Sequence, residues 1–447
     1  MISSDGGVQT VVGGVTAPRV AAAGICADMR TGELLDSSFV RRSAGLDARD
    51  RRWLRELVYG MLRHRGAIDA LLEERVRGGL QRVDDDLIDL MRLGVYQLLH
   101  MGSVPPYAAI AQTVELAKVR HGIGASKLMN AVLRRIDRES EALKVPLPAD
   151  PIGAMAVKHS HPQWLVQRWM KRFGEEGTAV LLMKNNAEAP VVVRPYGVVR
   201  EQLEAMLESA GVEIADAPLL RDSIVISGGI SLTEMGAFRQ GLFFVQDPGS
   251  TLVTQYAAIP ADSVVADLCA APGGKALELS RTAKLVVATD RSLSRLARLL
   301  ENTARIEAEN VIVAVGDARY PSIRDVDAVL IDVPCTGTGT FRRHPDARWR
   351  IRISDISVMA ALQTDILAAS AKVVRPGGLL VYSTCSLEPE ENEDQIVKFL
   401  ARNPGWQLEP PPAGTVPPET VDGGYLRVLP QLHGTDGAFA ARLRRNQ

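Results

Sequence analysis

The sequence predicts a multidomain protein of the α plus α/β class, in which an all-helical domain and a small α+β module precede a doubly wound α/β domain. Three observations support this prediction. The chain has 447 residues, about three times the length of an ordinary domain. Apolar residues recur at helical spacing before residue 145, whereas from residue 246 β-rich runs alternate with helical segments.

The composition is that of an ordinary globular protein, with 46% apolar and 23% charged residues, which excludes a mostly disordered chain. The net charge of -1 means that local basic patches must meet any nucleic-acid partner. Four cysteines are too few for a disulfide framework, which favours a reducing, cytoplasmic location. Residues 1–20 lack the features of a signal peptide, and no apolar run is long enough for a membrane span.

Residues 1–19 are expected to form a flexible leader, and residues 20–145 an all-α domain. The apolar side chains of one long predicted helix fall at the i, i+3, i+4, i+7, i+8 spacing of a single helix face: Leu54, Leu57, Val58, Met61 and Leu62. Three prolines between residues 143 and 151 mark a linker to the next domain.

Residues 152–245 are predicted to form a small βαβ-like accessory module, because strand-like runs at 191–193 and 224–227 flank a helical segment at 200–210. Residues 246–447 form the doubly wound domain. Its continuous β-rich runs predict parallel strands covered by helices on both faces, and residues 437–443 can supply a final strand.

A first group of polar residues predicts a cofactor cleft. The segment Asp267–Lys275, DLCAAPGGK, follows the first predicted strand, and its two glycines let the backbone approach a ligand at the start of a helix. Neither the dinucleotide fingerprint nor the P-loop spacing is present. Asp290, Asp317 and Asp332 follow the next three strands, at the sheet edge where ligands of this fold bind.

These acids indicate the type of ligand. Asp290 is placed to accept hydrogen bonds from ribose hydroxyls, and Asp317 to read an adenine amino group. A ligand that has adenine and ribose and needs no phosphate pocket is S-adenosylmethionine. The predicted cofactor contacts are Cys269, Ala270, Ala271, Pro272, Gly273, Gly274, Lys275, Asp290, Asp317 and Asp332.

Two cysteines predict the chemistry. Cys335 follows the fourth strand and Cys385 ends the fifth, so both face the same cleft. Carbon 5 of cytosine is too weak a nucleophile to attack a sulfonium methyl group until a thiolate adds at carbon 6. A nearby acid must also polarise the ring nitrogen, and Asp332 is the candidate. The geometry alone leaves open which cysteine attacks.

A basic segment beside the cleft predicts an RNA contact. Its residues combine cations for phosphate with an aromatic ring for base stacking: Arg342, Arg343, His344, Arg348 and Trp349. A second cluster, residues 41–65, has eight arginines and three acids and is either an RNA-binding surface or a solvated helix face. The target base must leave its stack to reach a thiolate, so it should be unpaired or flipped. The Cys and His spacing does not predict a metal site.

The motifs DLCAAPGGK, DVPCTGTGTFRRHPDARW and YSTCSLEPEENE resemble those of bacterial 16S rRNA cytosine-5 methyltransferases, and residues 20–145 resemble the NusB-like helical domain that precedes them. This resemblance implies a Rossmann-like catalytic domain that uses S-adenosylmethionine on RNA. It assigns Cys385 as the nucleophile and Cys335 as its partner in product release. We expect no membrane and a monomeric protein.

Three alternative functions stay open at this point. The chain can be a non-catalytic RNA-binding or antitermination factor with a relic methyltransferase domain, although both cysteines and the acids are intact. It can modify tRNA instead of 16S rRNA. A methyltransferase acting on an exocyclic amine would need a Pro-Pro-aromatic loop, where this chain has Asp-Val-Pro-Cys.

Overall fold

A computed structural model of the protein describes residues 10–11, 14–228 and 231–447. The chain folds into two compact units. The first contains the residues up to Asn186 together with His344–Arg350, and the second contains Ala187–Arg343 and Ile351–Gln447. Within the described ranges, no helix is long and apolar enough to span a bilayer.

The first unit is helical apart from two short strands, β1 (Thr10–Val11) and β2 (Val15–Thr16), which pair antiparallel. Its helices are Ala17–Arg30, Leu35–Arg42, Ala48–Glu73, Asp85–His100, Pro106–Glu139, Pro151–Lys158, Gln163–Asn186 and Ala347–Arg350. Two of these are interrupted where a glycine has positive φ, Gly122 at 85° and Gly174 at 71°. The prediction of an all-α N-terminal domain is confirmed.

The core of this unit follows the predicted helical spacing. All five apolar residues predicted to share one face of Ala48–Glu73 are buried. The carboxylate of Asp47 caps this helix by accepting a hydrogen bond from the Asp50 backbone N–H at 2.8 Å.

The predicted domain boundaries stay predictions. Helix Ala17–Arg30 includes the end of the predicted leader at 17–19, while residues 1–9 and 12–13 of that leader lie outside the described residues. Helices Pro151–Lys158 and Gln163–Asn186 fall within the range 152–245 that was predicted for the accessory module, apart from Pro151. They lie in the first compact unit, where Ala48–Glu73 contacts Pro151–Lys158.

The accessory module opens the second unit and is a four-stranded sheet in the order β4-β5-β3-β6. Its strands are β3 (Val191–Pro195), β4 (Glu213–Asp216), β5 (Ile224–Ser227) and β6 (Phe243–Val245), and its helices are Arg200–Ser209 and Gly236–Arg239. Every strand pair is antiparallel, so the βαβ-like topology is wrong, although the α+β class is confirmed. The short strands β4 and β6 were missed by the sequence analysis.

The rest of the second unit is built on one large sheet in the order β13-β14-β15-β11-β10-β7-β8-β9, with β12 also paired to β15. The strands are β7 (Val264–Asp267), β8 (Leu285–Asp290), β9 (Val311–Val315), β10 (Val326–Asp332), β11 (Val374–Thr384), β12 (Trp406–Leu408), β13 (Val421–Asp422), β14 (Tyr425–Val428) and β15 (Ala438–Arg445). The helices are Pro248–Ala257, Gly274–Leu279, Leu293–Arg305, Ile353–Ala371, Glu393–Arg402 and Pro430–His433.

Both faces of this sheet are buried, as the doubly wound prediction requires. In β10, Leu330 packs into the core beneath helices Pro248–Ala257 and Leu293–Arg305, whereas its neighbours Val329 and Ile331 pack into the core on the opposite face.

The five strands β9-β8-β7-β10-β11 are parallel, so their carboxyl ends lie along one edge. The predicted final strand is β15, which pairs antiparallel with β11. Strands β12 to β14 extend the sheet beyond it. Their brevity hid them from the sequence analysis, and they make the sheet mixed.

Candidate active site

The carboxyl ends of the parallel strands form one side of a cleft of about 700 Å³ in the second unit. The cleft is lined by most of the predicted cofactor and catalytic residues: Cys269, Ala271, Asp290, Asp317, Asp332, Cys335 and Cys385. The strand register brings these side chains together, since Asp332 at the end of β10 lies opposite Ser383 of β11.

The turn after β7 is built for close backbone approach. Gly273 caps helix Gly274–Leu279 with φ at 113°, and a Cβ there would lie 2.4 Å from the Leu299 side chain. Ala270 is buried behind this turn, while Pro272 is exposed.

The two acids beside this turn are held by different partners. The Asp290 carboxylate is buried and accepts hydrogen bonds from the backbone N–H groups of Ala271 at 3.3 Å and Ser292 at 2.9 Å. Asp317 is paired with the Arg319 guanidinium at 2.7 Å. The hydrogen bond from Arg319 lowers the pKa of Asp317 to about 2, so this carboxyl is ionised at neutral pH.

Asp332, which lines the cleft, forms an ion pair with Lys275. Lys275 Nζ donates to Asp332 Oδ2 at 2.7 Å, and Ser383 Oγ donates to Asp332 Oδ1 at 2.8 Å. Burial lowers the pKa of Lys275, but the Asp332 carboxylate and the Cys385 sulfur raise it more, so the net shift is above its ordinary value. The ammonium group is therefore a fixed positive charge close to a thiol.

Asp267, which ends β7, is a buried acid without a side-chain partner. Burial and the neighbouring Asp332 raise the pKa of Asp267 to about 7, although Lys275 opposes the shift. Asp267 was part of the DLCAAPGGK motif, but its protonation was not foreseen, because a sequence does not reveal which strand-end acid is deepest.

The two cysteine sulfurs lie 3.3 Å apart. The hydrogen bond with the Cys385 sulfur and burial raise the pKa of the Cys335 thiol well above its ordinary value. The backbone fixes the two loops against each other, since the Gly339 N–H donates to the Cys385 carbonyl at 2.9 Å. A Cβ on Gly339 would lie 2.5 Å from that carbonyl oxygen, so only glycine fits there.

Glu391 is a site residue that the sequence analysis missed. It is fully buried and accepts hydrogen bonds from Thr336 and Ser386, the residues that follow the two cysteines. The only available signal was its place in the run EPEENE, where the acids looked alike. Glu388 and Glu391 are buried whereas Glu390 and Glu393 are half-buried, a difference that spacing cannot reveal.

The basic segment is not the exposed arginine loop that was predicted. Arg342 is buried and Arg343 half-buried, and both pair with the same two acids. Their Nη2 atoms lie 2.7 and 2.6 Å from Asp247 Oδ2, and their Nε atoms donate to the Asp436 carboxylate. These guanidinium groups therefore stabilise the fold and are not open to phosphate.

The remaining residues of that segment pack in the first unit. Arg348 is fully buried and its guanidinium donates to Asn186 Oδ1 at 2.6 Å and to the Asn185 carbonyl at 2.8 Å. Trp349 Nε1 donates to the Leu62 carbonyl at 2.9 Å, so its ring is a core contact and not an open stacking platform. His344 is exposed and lies 3.0 Å from Asp36.

The second basic cluster is divided in the same way. Arg41 and Arg42 both pair with Asp28, whereas Arg51 and Arg52 are exposed at the start of helix Ala48–Glu73. Across the residues that the structure describes, no group of three or more His, Cys, Asp or Glu side chains could hold a metal ion.

Comparisons with known proteins match every part of this architecture. The family described as 16S rRNA methyltransferase RsmB/F matches residues 256–444, the NusB family matches residues 16–138, and the RsmF/B-like ferredoxin-like domain matches residues 161–233. The ribosomal RNA small subunit methyltransferase B of Vibrio cholerae is 34% identical over 419 residues, which cover 90% of this chain and 94% of that protein. The chain belongs to the RsmB/F family of 16S rRNA methyltransferases.

Other comparisons agree with membership in the RsmB/F family. The probable ribosomal RNA small subunit methyltransferase B of Synechocystis sp. is 33% identical over 410 residues, covering 89% of this chain and 91% of that protein. The solved structure of the protein PH0851 has a TM-score of 0.80 and 27% identity, and covers 96% of this chain and 99% of that one. The resemblance inferred from the motifs is thus confirmed, and the doubly wound domain is that of an S-adenosylmethionine-dependent methyltransferase family.

The ion pairs of Arg342 and Arg343 with Asp247 and Asp436 predict that the loss of one arginine destabilises this RsmB/F family member. Arg342→Ala leaves two buried carboxylates with one guanidinium, which should lower the free energy of unfolding by about 3–5 kcal/mol. Urea unfolding measures this loss. Arg324→Ala, at an exposed arginine of the same unit, is the control and should change stability by less than about 0.5 kcal/mol. Unchanged stability in Arg342→Ala would contradict the structural role.

The raised pKa of Asp267 predicts that the stability of the protein depends on pH. Its pKa of about 7 in the folded protein exceeds the ordinary value of 3.8, so the folded state holds a proton that the unfolded state loses between about pH 4 and 7. The wild type should therefore lose stability from this group as the pH rises through that window. Asp267→Asn mimics the protonated form and should gain on the order of 3 kcal/mol relative to the wild type between pH 4 and pH 8.

The free energy of unfolding, measured without cofactor at about pH 4 and about pH 8, tests whether Asp267 lowers stability as the pH rises. Asp325→Asn changes an exposed acid with positive φ, a conformation that asparagine tolerates, and should show the wild-type pH dependence. A constant difference between Asp267→Asn and the wild type across this range would rule out a raised pKa.

Proposed function

We propose that this protein is an RNA cytosine-5 methyltransferase that modifies 16S rRNA through a covalent bond between Cys385 and carbon 6 of an unpaired or flipped cytosine. The observation that carries the proposal is the pair of sulfurs 3.3 Å apart at neighbouring strand ends, in the cleft that also contains the strand-end acids. An exocyclic-amine methyltransferase has no use for two thiols at this point.

The reaction follows from the chemistry of the ring. The Cys385 thiolate adds to carbon 6, and the electron pair displaced from the double bond makes carbon 5 nucleophilic. Carbon 5 then takes the methyl group from the sulfonium, which leaves as S-adenosylhomocysteine. Removal of the carbon 5 proton by a base restores the double bond and expels the Cys385 sulfur.

The environment of the two thiols supports different roles for them. A raised pKa keeps Cys335 protonated, so its S–H can donate to the Cys385 sulfur and stabilise negative charge there. The Lys275 ammonium adds a second stabilising charge, since it interacts with the Cys385 sulfur. These contacts favour Cys385 as the nucleophile and Cys335 as the partner that helps to release it.

The Lys275–Asp332 pair extends the role that the sequence suggested for Asp332 alone. Asp332 accepts hydrogen bonds from Lys275 and from Ser383, which fix the orientation of its carboxyl group. We infer that the pair acts as a unit, in which the Lys275 ammonium keeps its proton and holds Asp332 beside the ring.

S-adenosylmethionine is the proposed cofactor, held by the turn Cys269–Lys275 and by the acids of the cleft. The buried Asp290 carboxylate has a fixed orientation from two backbone donors, which suits a pair of ribose hydroxyls. The apolar part of the cleft, Met359, Leu362 and Ile366, supplies a surface for an adenine ring.

RNA phosphates need exposed cations, and the buried arginines do not qualify. Arg291 and Arg295 line the cleft and are both exposed, so we propose them as phosphate contacts in place of Arg342 and Arg348. His344, exposed in the first unit, remains a candidate contact.

The two thiols should respond differently to substitution. Cys385→Ala should abolish methyl transfer and form no adduct. Cys335→Ala should still attack and methylate but release the product slowly, and so accumulate a protein–RNA complex that resists denaturation. A shifted band on a denaturing gel detects this complex.

The reverse pattern, with the complex trapped only by Cys385→Ala, would exchange the two roles. Full activity in both variants would refute the covalent mechanism. A wild-type protein that binds RNA but transfers no methyl group would instead identify a relic methyltransferase domain.

The cofactor assignment has its own test. Asp290→Ala removes charge-assisted hydrogen bonds to the ribose and should weaken S-adenosylmethionine binding by about 1.5–3 kcal/mol in titration calorimetry. Asp262→Asn, at an exposed acid of the same unit whose positive φ asparagine tolerates, is the control and should bind as the wild type does. Unchanged affinity in Asp290→Ala would remove Asp290 from the ribose site.

A further inference from the structure

The Glu391 carboxylate is the point where the two cysteine loops are joined. It is fully buried, and each of its oxygens accepts two hydrogen bonds. Oε1 accepts from the Thr336 backbone N–H at 2.9 Å and from Gln363 Nε2 at 3.0 Å. Oε2 accepts from the hydroxyl groups of Thr336 and Ser386.

Two of the residues that donate to Glu391 are sequence neighbours of the two cysteines. Thr336 directly follows Cys335, and Ser386 directly follows Cys385. One carboxylate therefore holds the residue next to each thiol. Gln363 adds to this on the Cys335 side, since its Nε2 also donates to the Pro334 carbonyl at 2.9 Å.

Asn392, the next residue, fixes the Cys385 loop from its other side. Its Nδ2 donates to the Ser386 carbonyl at 2.8 Å, and its Oδ1 accepts from Thr384 Oγ1 at 2.5 Å. The Tyr382 hydroxyl donates to the Glu391 carbonyl at 2.6 Å and so fixes the backbone that carries the carboxylate. The position of Glu391 is thus determined by the end of β11, the same strand that carries Cys385.

Two acceptor oxygens suit this place better than an amide. Burial raises the pKa of Glu391 more than the four donors lower it, and both oxygens still accept hydrogen bonds. An amide of the same shape offers only one acceptor oxygen. Its NH2 group would have to donate to the Thr336 and Ser386 hydroxyl groups, and these hydroxyls would lose the acceptor of their own protons. Glu391 does not line the cleft, so its effect on the chemistry is indirect.

We propose that Glu391 is a positioning residue, which holds the Cys335 and Cys385 sulfurs in contact by bonding the residue that follows each of them. The consequence for catalysis rests on the proposed function, because only a two-thiol reaction needs this contact. The effect of Glu391 on the distance between the two sulfurs is independent of the proposed function. An error of about 1 Å in such a geometry can cost about 10²-fold in rate.

The thiol geometry can be measured without any substrate. Oxidised glutathione converts the two thiols to a disulfide and releases two molecules of reduced glutathione. The equilibrium constant of this exchange depends on how well the protein holds the sulfurs together. Mass spectrometry counts the reduced and oxidised protein in glutathione buffers of known composition.

Glu391→Gln should lower this equilibrium constant at least about tenfold relative to the wild type. Glu301→Gln, which makes the same change at an exposed glutamate of the same unit, should leave it unchanged. In the same preparations, Glu391→Gln should lower kcat for methyl transfer at least about tenfold while the affinity for S-adenosylmethionine stays within about twofold. A general loss of structure would instead weaken cofactor binding as well.

An unchanged disulfide constant in Glu391→Gln would overturn the proposal. If that variant does not fold, Ser386→Ala removes one of the four hydrogen bonds and should shift the constant in the same direction by a smaller factor, and no shift would overturn the proposal equally. If the wild type transfers no methyl group to RNA, the proposed function fails, and the disulfide comparison still decides whether Glu391 positions the thiols.

Discussion

The register between β10 and β11 is the constraint on which the site depends. Parallel pairing sets Asp332 opposite Ser383, and each strand then continues into a short loop that carries a cysteine. A slip of one residue would turn the side chains of one strand to the other face, and the two sulfurs would no longer meet. The apolar side chains of β10, which alternate between two cores, make such a slip costly.

The second unit buries charged side chains in two different settings. Where two arginines meet two acids, as around Asp247 and Asp436, the charges balance and the cluster stabilises a junction of loops. Beside the cleft, burial and the neighbouring Asp332 raise the pKa of Asp267 to about 7, although the Lys275 ammonium opposes the shift.

The strands and helices that place the site could be predicted from sequence because their apolar periodicity is strong. The run that ends in Asp332 is a β10 of the expected length, and Cys385 follows β11 as the pattern indicates. The five short strands β4, β6, β12, β13 and β14 could not be predicted, since two to four residues carry no measurable periodicity.

The incorrect prediction for Arg342 and Arg348 has a different cause. Arg342 and Arg348 were predicted to contact RNA because the segment around them is rich in arginine and lies beside the cleft. The acids that neutralise Arg342 are Asp247 and Asp436, about a hundred positions away on either side. Such pairing is long-range and leaves no local pattern. Glu391 illustrates the same limit, because nothing within EPEENE distinguishes the buried Glu388 and Glu391 from the half-buried Glu390 and Glu393.

The claim that Cys385 makes the bond to the base can be tested on the unmodified protein. RNA that carries 5-fluorocytidine should trap the adduct after methyl transfer, since fluorine on carbon 5 cannot be removed as a proton is. Digestion of the trapped complex and mass spectrometry of the cross-linked peptide identify the attached residue. We predict a peptide that carries the nucleotide on Cys385. A nucleotide on Cys335, or a methylated RNA with no attached peptide, would contradict the account.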